Sequence, residues 1–482
     1  MAIDWEREEY RHAKPDWQLV DDMCREQNLT RYIEDLDVLK DQRPVYGQDG
    51  AVADWLTDPD SRRNREFKNR ASFFGASRLT LEGLIGVAFE RDPQITLPPG
   101  LEYLLKNVDG SGVDMWQQMQ RATGEALKKA RGGLYVTMPP TDGQVSLADQ
   151  ESLRSVATVS LITADRVINW WTRSDGAETY LAGVVFTDSR EMVDDYEVKT
   201  EDLRRELALD ESGAFFDRVW VKKTDGKGTS EWEPEEPVYP RDGSGQTFNR
   251  IPFLFFGARA NHWEMQVPPM ISLARKNRDH YRNSAINEEG IWFSGHIQPV
   301  ADEMDPQAYD VLAKGFKIGG GQMMVAKGFR FEVAEPNTAA RQGMLDKAEE
   351  MAALGARIMQ PGTVAKTATQ AAGEVKAQHS ILSLVSVNIE DAYQWACEQA
   401  ARFMNVSGNI EVKLNRSFME PELTSEKMRE MRENLLSGVV GPAEMFRVLQ
   451  RAGDIAPEKT FEEYSDEIAE RGLIVADTAA TV

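Results

Sequence analysis

With 79 acidic side chains in 482 residues, carboxylates offer this chain more material for general acid–base chemistry than any other residue type. The tightest groupings are Glu34 with Asp35 and Asp37, and Asp194 with Asp195. In a chain this rich in acids such groupings read as solvated surface rather than as an acid–base pair. The five histidines are scattered, and none has a motif around it that brings a Ser, Cys or carboxylate partner. Cys24 and Cys397 cannot make a disulfide framework, and with those histidines they supply no metal-ligand spacing. Both read as buried free thiols. Gly319 to Gly321 invites a phosphate-cradle reading that fails: no Gly-Lys-Ser/Thr follows, and Met323, Met324 and Val325 read as a strand. Gly132 and Gly133 come after a helix rather than before one, so they read as a turn. The expectation is a protein that is not an enzyme and has no cofactor and no metal.

Basic residues number 56, which leaves a formal charge of −23. Wrapping nucleic acid by neutralising phosphates needs a cationic surface, and this chain lacks one. The basic run RRNREFKNR at 62–70 could touch nucleic acid, but with acids nearby it reads as a solvated face ahead of a buried helix. Residues 1–9 are charged, unlike a signal peptide, and no run approaches the ~18–20 apolar residues of a membrane span. The expectation is a soluble protein made in a cytoplasm, with no membrane partner. Hydrophobic residues at 41% and aromatics at 9% call for a folded chain, and its length calls for two or three domains.

Residues 267–290, led by Pro268 and Pro269, read as one helix closed by Gly290, roughly 33 Å long at about 1.5 Å per residue. Only Met270, Leu273, Ala274, Tyr281, Ala285 and Ile286 look like packing residues. So polar a helix either bridges solvent or packs against neighbouring copies. Upstream, helical spacing covers 5–39, broken near Asn28, then 61–89, then 113–131 with Met115, Trp116, Met119, Ala122 and Ala126 on one face. Between 155 and 260 the period changes to two, with strands expected at 161–171, 179–187, 192–198, 215–223, 230–232 and 251–256 and a hairpin turn at 224–228. Downstream come a strand at 291–300, a second helix at 337–359 capped by Asn337, and a loop of small residues. A long helix at 371–404 carries the apolar stripe Leu382, Val385, Ile389, Ala392, Ala396, Ala400 and Phe403, before a strand at 410–418. The tail from Thr424 reads as helical in pieces, with stops at Gly438, Gly453 and Gly472 and with Pro442 and Pro457 at helix starts.

This order of elements resembles the portal proteins of tailed bacteriophages. PPMISLARKNRDHYRNSAINEEGIWFSGHIQPV at 268–300 is similar to the helix-to-strand signature of one divergent portal-like family, in which a Pro-Pro-led helix carries a central His-Tyr-Arg before an aromatic run. RASFFGASRLTLEGLIGVAFERDP at 70–93 and ARGGLYVTMP at 130–139 resemble two further family motifs in the same order. The resemblance implies an α+β portal fold: a wing of N-terminal helices and antiparallel strands at 1–267, a stem helix at 268–290, a clip at 291–336 and a second stem helix at 337–359. A tunnel loop at 360–373, a long wing helix with its return strand at 374–423, and a helical crown at 424–482 complete it. Departures from the family are a short clip, a brief crown, and Gly343 and Gly355, which weaken the second stem helix.

The resemblance further implies a virion component, assembled in the host bacterial cytoplasm as a ring of about a dozen copies at one capsid vertex. Its implied partners are the terminase large subunit, a head–tail adaptor, the major capsid protein and a scaffolding protein. Double-stranded DNA would pass through without sequence specificity during packaging and ejection. Lys366, Thr363 and Thr367 would contact that DNA from the tunnel loop, and Arg275, Lys276, Arg278, Asp279 and Arg282 would lie between subunits. Negative charge repeated in every copy would keep a polyanion from sticking to the conduit wall. The alternatives are a metal-dependent nuclease or other hydrolase using dispersed carboxylates, and a virion adaptor that is not a portal. On the portal reading, Lys366→Ala leaves ring assembly intact and changes DNA retention or packaged length; equal retention and length in mutant and wild-type particles would remove Lys366 from the mechanism.

Overall fold

The computed structural model describes residues 3–34, 62–139, 156–224, 230–295, 298–301, 329–332, 338–359 and 381–415, with shorter stretches between 429 and 470. The chain is mixed α+β and divides into Met1–Asn415 and Arg416–Val482.

Strand β2 (Arg131–Thr137) is central to the larger unit, paired antiparallel on one edge with β3 (Thr158–Thr163) and on the other with β9 (Phe253–Gly257). Residues 131–136 are all buried, so both faces of the strand are covered. Helix α4 (Met115–Lys129) covers part of it through Met115, Met119, Ala122 and Ala126, and the side chain of Asp114 accepts from the Gln117 N–H at 2.6 Å to cap it. Trp116, expected on that face, is partly exposed. The long helix α7 (Ile381–Met404) packs on α4, β2 and β9, and all seven residues of its expected stripe are buried. Residues 371–380, expected to begin it, lie outside the described residues.

The glycine pair is not a turn. Helix α4 ends at Ala130, which takes the left-handed conformation at φ 55° and returns its N–H to Ala126 O. Gly132 and Gly133 then lie inside β2, opposite Phe256 and Phe255 of β9. A Cβ on Gly132 would sit 2.2 Å from the tip of the Phe256 ring, and one on Gly133 2.1 Å from that of Phe253. Glycine is used here for close approach of side chains to backbone.

Beyond a short 3-10 turn at Ala164–Arg166, β4 (Val167–Asp175), β5 (Glu178–Asp194), β6 (Glu197–Leu209), β7 (Phe215–Thr224) and β8 (Ser230–Pro234) form an antiparallel meander in sequence order. Two expectations change here. Residues 161–171 are two strands rather than one, and 192–198 is the tip of a hairpin, because β5 runs for 17 residues to a turn at Asp195 and Tyr196. Strand β6 was hidden because its alternation is carried mostly by charged residues. The turn expected at 224–228 lies largely outside the described residues.

Two buried polar clusters tie these layers together. The Tyr135 hydroxyl donates to Asp217 Oδ2 at 2.8 Å, and Arg205 clamps the same carboxylate at 2.7 and 2.9 Å. Lys129, almost fully buried, meets Asp21 at 2.8 Å, Glu125 at 3.1 Å and Asp165. Burial opposes its charge, but the carboxylates of Glu125, Asp21 and Asp165 outweigh that and raise its pKa. Among the described residues Arg131 forms no ion pair: its guanidinium lies between the rings of Trp170 and Phe255 at 4.0 and 3.9 Å, donates to Trp263 O, and is pushed by burial down to about 9.

Helix α1 (Glu8–Arg25) is followed by a 3-10 turn at Leu29–Tyr32, with Asn28 left-handed at φ 53° where the break was expected. The helical stretch expected at 61–89 is instead two helices, α2 (Arg62–Arg70) and α3 (Ala76–Ala88), separated by five non-helical residues. Strand β1 (Gln94–Thr96) pairs with β12 (Glu411–Lys413), part of the return strand expected at 410–418. In the smaller unit, α8 (Pro442–Arg451) begins at the expected proline, and α9 (Phe461–Glu470) opens on a capping box between Thr460 and Glu463. Pro457, Gly438, Gly453 and Gly472 lie outside the described residues.

Gly133→Ala is expected to lower stability by about 1–3 kcal/mol through overpacking against Phe253, read as a lower midpoint in chemical denaturation. An unchanged midpoint would show that the pair tolerates side chains as an open turn does.

Candidate functional site: an anchored helical hairpin and a cavity at the root of a β-arm

Helix α5 (Ile271–Ser294) and helix α6 (Thr338–Met359) flank a small antiparallel pair, β10 (Gln298–Ala301) with β11 (Phe329–Glu332). The helices run antiparallel. Lys276 pairs with Glu350 at 2.5 Å, a Cβ on Gly343 would meet the Asn283 amide at 2.8 Å, and Lys347 lies near His280, so position falls along one helix as it rises along the other. Asn337, residues 302–328 and the loop 360–373 lie outside the described residues, and with them Lys366, Thr363 and Thr367.

Helix α5 does not stop at Gly290 but continues to Ser294, so 291–294 is helix rather than strand. Glycine inside a helix costs only about 1 kcal/mol relative to alanine. Helix α2 holds the turns around Gly290: Arg70 pairs with Glu289 at 2.5 Å and stacks 4.8 Å over Trp292. The last residue of the basic run 62–70 is thus used within the chain, and Asn64 and Phe67 of the same helix are buried. Gly343 and Gly355 are likewise contact points: the second faces Thr80 of α3, 3.2 Å from where its Cβ would stand.

The polarity of α5 has an internal use. Asn277 is fully buried; its Oδ1 accepts from the Ser77 N–H at 3.0 Å and the Ser77 hydroxyl at 2.9 Å, and its Nδ2 donates to Phe74 O at 2.8 Å. Ser77 stands in the first turn of α3, whose own N-cap, Gly75, has no side chain to offer. Asn277 therefore satisfies that helix start from 200 positions away. Ser284 Oγ accepts from the Ser72 N–H at 3.1 Å, and Arg282 Nε donates to Tyr32 O at 2.8 Å. Around these bonds Tyr281 and Ala285 pack with Ile33 and Phe67. Five of the six expected packing residues are buried; Ile286 is 52% exposed. Asn277, His280 and Ser284 share the buried face, and only their polar identity concealed it. Burial, with Lys347 nearby, lowers the His280 pKa.

Each charged residue expected between subunits has a partner inside this chain. Arg275 pairs with Asp16 at 3.0 Å, Arg278 with Asp279 at 2.9 Å, and Arg282 with Glu34 at 3.4 Å, beside the Lys276–Glu350 pair. The Arg275 side chain remains 52% exposed and that of Lys276 41%, so their remaining donors face solvent. On α6, residues 338, 341, 342, 345, 346, 349, 352 and 353 are exposed at helical spacing, with Leu345 among them.

A cavity of about 660 Å³ lies between α3, α4 and strands β3, β5 and β6. Leu81, Ile85, Leu161 and Phe186 give it apolar walls, and Arg25, Arg121, Lys128, Arg166 and Arg205 outnumber Asp109, Glu125 and Asp188. Among the described residues, no group of three His, Cys, Asp or Glu is placed to hold a metal. Burial pushes the thiols of Cys24 and Cys397 up to about 12. Of the acidic groupings, Glu34 pairs with Arg282 and Asp194 with Lys199 at 3.2 Å, while Asp35 and Asp37 lie outside the described residues. Among the described residues, no helix is long and apolar enough to cross a membrane.

Residues 269–404, from the start of α5 to the end of α7, match a family model described as a domain of unknown function, DUF4055. No curated protein matches the chain. Solved structures similar to it include chains from "Virion of native gene transfer agent (GTA) particle" (TM-score 0.36, 12% identity, covering 83% of this chain and 91% of that one). A chain from "Neck of native GTA particle computed with C12 symmetry" has TM-score 0.39 and 14% identity, covering 83% and 93%. One from "Neck of empty GTA particle computed with C6 symmetry" has TM-score 0.40 and 13% identity, covering 85% and 95%. Likenesses this loose assign no role to this chain.

Asn277→Ala is expected to cost on the order of 3 kcal/mol, because it strands the Ser77 N–H and the Phe74 carbonyl in the interior. Arg275→Ala, losing a half-exposed pair, is expected to cost under about 1 kcal/mol. Equal losses in urea denaturation would show that the buried amide is not what anchors α5.

Proposed function

We propose that this chain is the subunit of a phage-like portal: a ring-shaped, non-enzymatic conduit for double-stranded DNA at one vertex of a capsid. The observation that carries the reading is the unit α5–β10–β11–α6, in which antiparallel helices of 24 and 22 residues flank a small β pair. That unit stands between an α+β lobe and the long buried helix α7, in the order that wing, stem, clip, stem and wing helix take in the portal family.

The chemistry supports the reading in two ways. Helix α5 is fixed on one side to its own lobe, while the exposed stripe on α6 and the open donors of Arg275 and Lys276 leave polar surface suited to heterologous contact with identical copies. A formal charge of −23 per copy, multiplied around a ring, makes a wall along which a polyanion slides rather than binds. In this reading β10–β11 meets the terminase and later an adaptor, and the loop bearing Lys366 faces the DNA.

Sedimentation velocity tests the proposal. The full chain is expected to run as one large species of about a dozen copies, and the double variant Arg275→Ala, Lys276→Ala to keep its circular dichroism while that species falls at least tenfold. A wild-type chain that stays monomeric at all concentrations would end the portal reading.

A further inference from the structure

Strand β5 pairs with β4 only as far as Phe186, and β6 pairs with β7 only from Leu203. Residues 188–202 between those points are a two-stranded ribbon with no third strand paired to it among the described residues; Arg190 reaches out of it in an ion pair, to Glu235 at 3.7 Å. Residues 189–200 are all exposed. At about 3.3 Å per residue the ribbon is roughly 25 Å long. Two strands alone are marginally stable in water, and this pair carries an apolar tip: Tyr196 is 95% exposed, Val193 71%, Val198 58% and Met192 46%. Its charge is one-sided, with seven carboxylates against two bases over 188–202.

The arginine-rimmed cavity is the complement of that tip. Leu81, Ile85 and Leu161 offer apolar contact to an aromatic ring; Lys128, Arg166 and Arg205 are already paired with carboxylates of their own chain, whereas Arg121 forms no ion pair among the described residues and is the base left for the carboxylates that flank Tyr196. Phe186, Asp188 and Arg205 of the cavity wall are also the root of the arm. Pairing is unbroken from Gly183 with Ala208 to Asp194 with Glu197, so the tip is carried away from its own cavity. A complementary tip and cavity that one chain cannot bring together are a heterologous contact in waiting.

We propose that the β5–β6 arm of one copy seats its Tyr196 tip in the cavity of the next copy. The proposal rests on the ring reading above and names a contact that would build it. It commits to a second copy of this chain as occupant, because both complementary surfaces belong to this sequence.

The test is a disulfide trap in the full chain carrying Tyr196→Cys and Arg121→Cys together. Native Cys24 and Cys397 are buried and do not interfere. Oxidised with copper phenanthroline and run without reductant, the double variant is expected to give a ladder extending beyond the dimer, whereas either single variant stops at the dimer. Light scattering on the same samples separates the failures. A large oligomer with no ladder overturns the seating and leaves the ring standing; a monomer with no ladder overturns both. Consumption of both thiols at monomer mobility would place the arm on its own chain and also overturn the proposal. Tyr196→Ala, at a fully exposed position, gives an independent reading: an unchanged monomer melting curve with at least a tenfold weaker oligomer is expected, and an oligomer of undiminished strength would count against seating.

Discussion

The arrangement depends on one buried amide. Asn277 caps α3 and holds the carbonyl of Phe74 from the middle of a helix whose sequence looks made for solvent. Leaving either partner unsatisfied in the interior costs about 1–3 kcal/mol, so this side chain fixes the rotation of α5 about its axis as well as its position. Arg282 and Ser284 repeat the same device about one and a half and two turns on, each satisfying backbone of the N-terminal segment. With α5 fixed in this way, its antiparallel partner α6 and the β pair between them follow.

That constraint divides the helical hairpin into a committed side and an open one. Apolar burial and buried hydrogen bonds hold α5 to α1, α2 and α3, whereas α6 exposes a long stripe of small and charged residues. Surface ion pairs such as Arg275–Asp16 and Lys276–Glu350 add little stability of their own and can exchange partners cheaply. A subunit built this way is rigid where it must keep its shape and undemanding where copies must meet.

Much of this was legible in the amino-acid order. The stripe of α7, the antiparallel strands, the paired long helices and the packing residues of α5 follow from period and from proline and glycine punctuation. What misled was chemistry that depends on distant partners. Gly132 and Gly133 look like a turn until Phe253 and Phe256 supply the rings that exclude a Cβ. Gly290 looks like a helix stop until Arg70 is seen to hold Glu289 and Trp292. Asn277 looks like solvated surface because its three bonds reach residues about 200 positions away. The arm escaped notice because charged side chains on both faces of β6 mask its alternation.

Single-particle electron microscopy of the purified full chain tests the central claim most directly. The account predicts closed rings with an axial hole and with α5 and α6 of each copy beside those of its neighbours. Isolated monomers, or two-fold dimers with the exposed stripe of α6 buried against itself and no passage between copies, would contradict it.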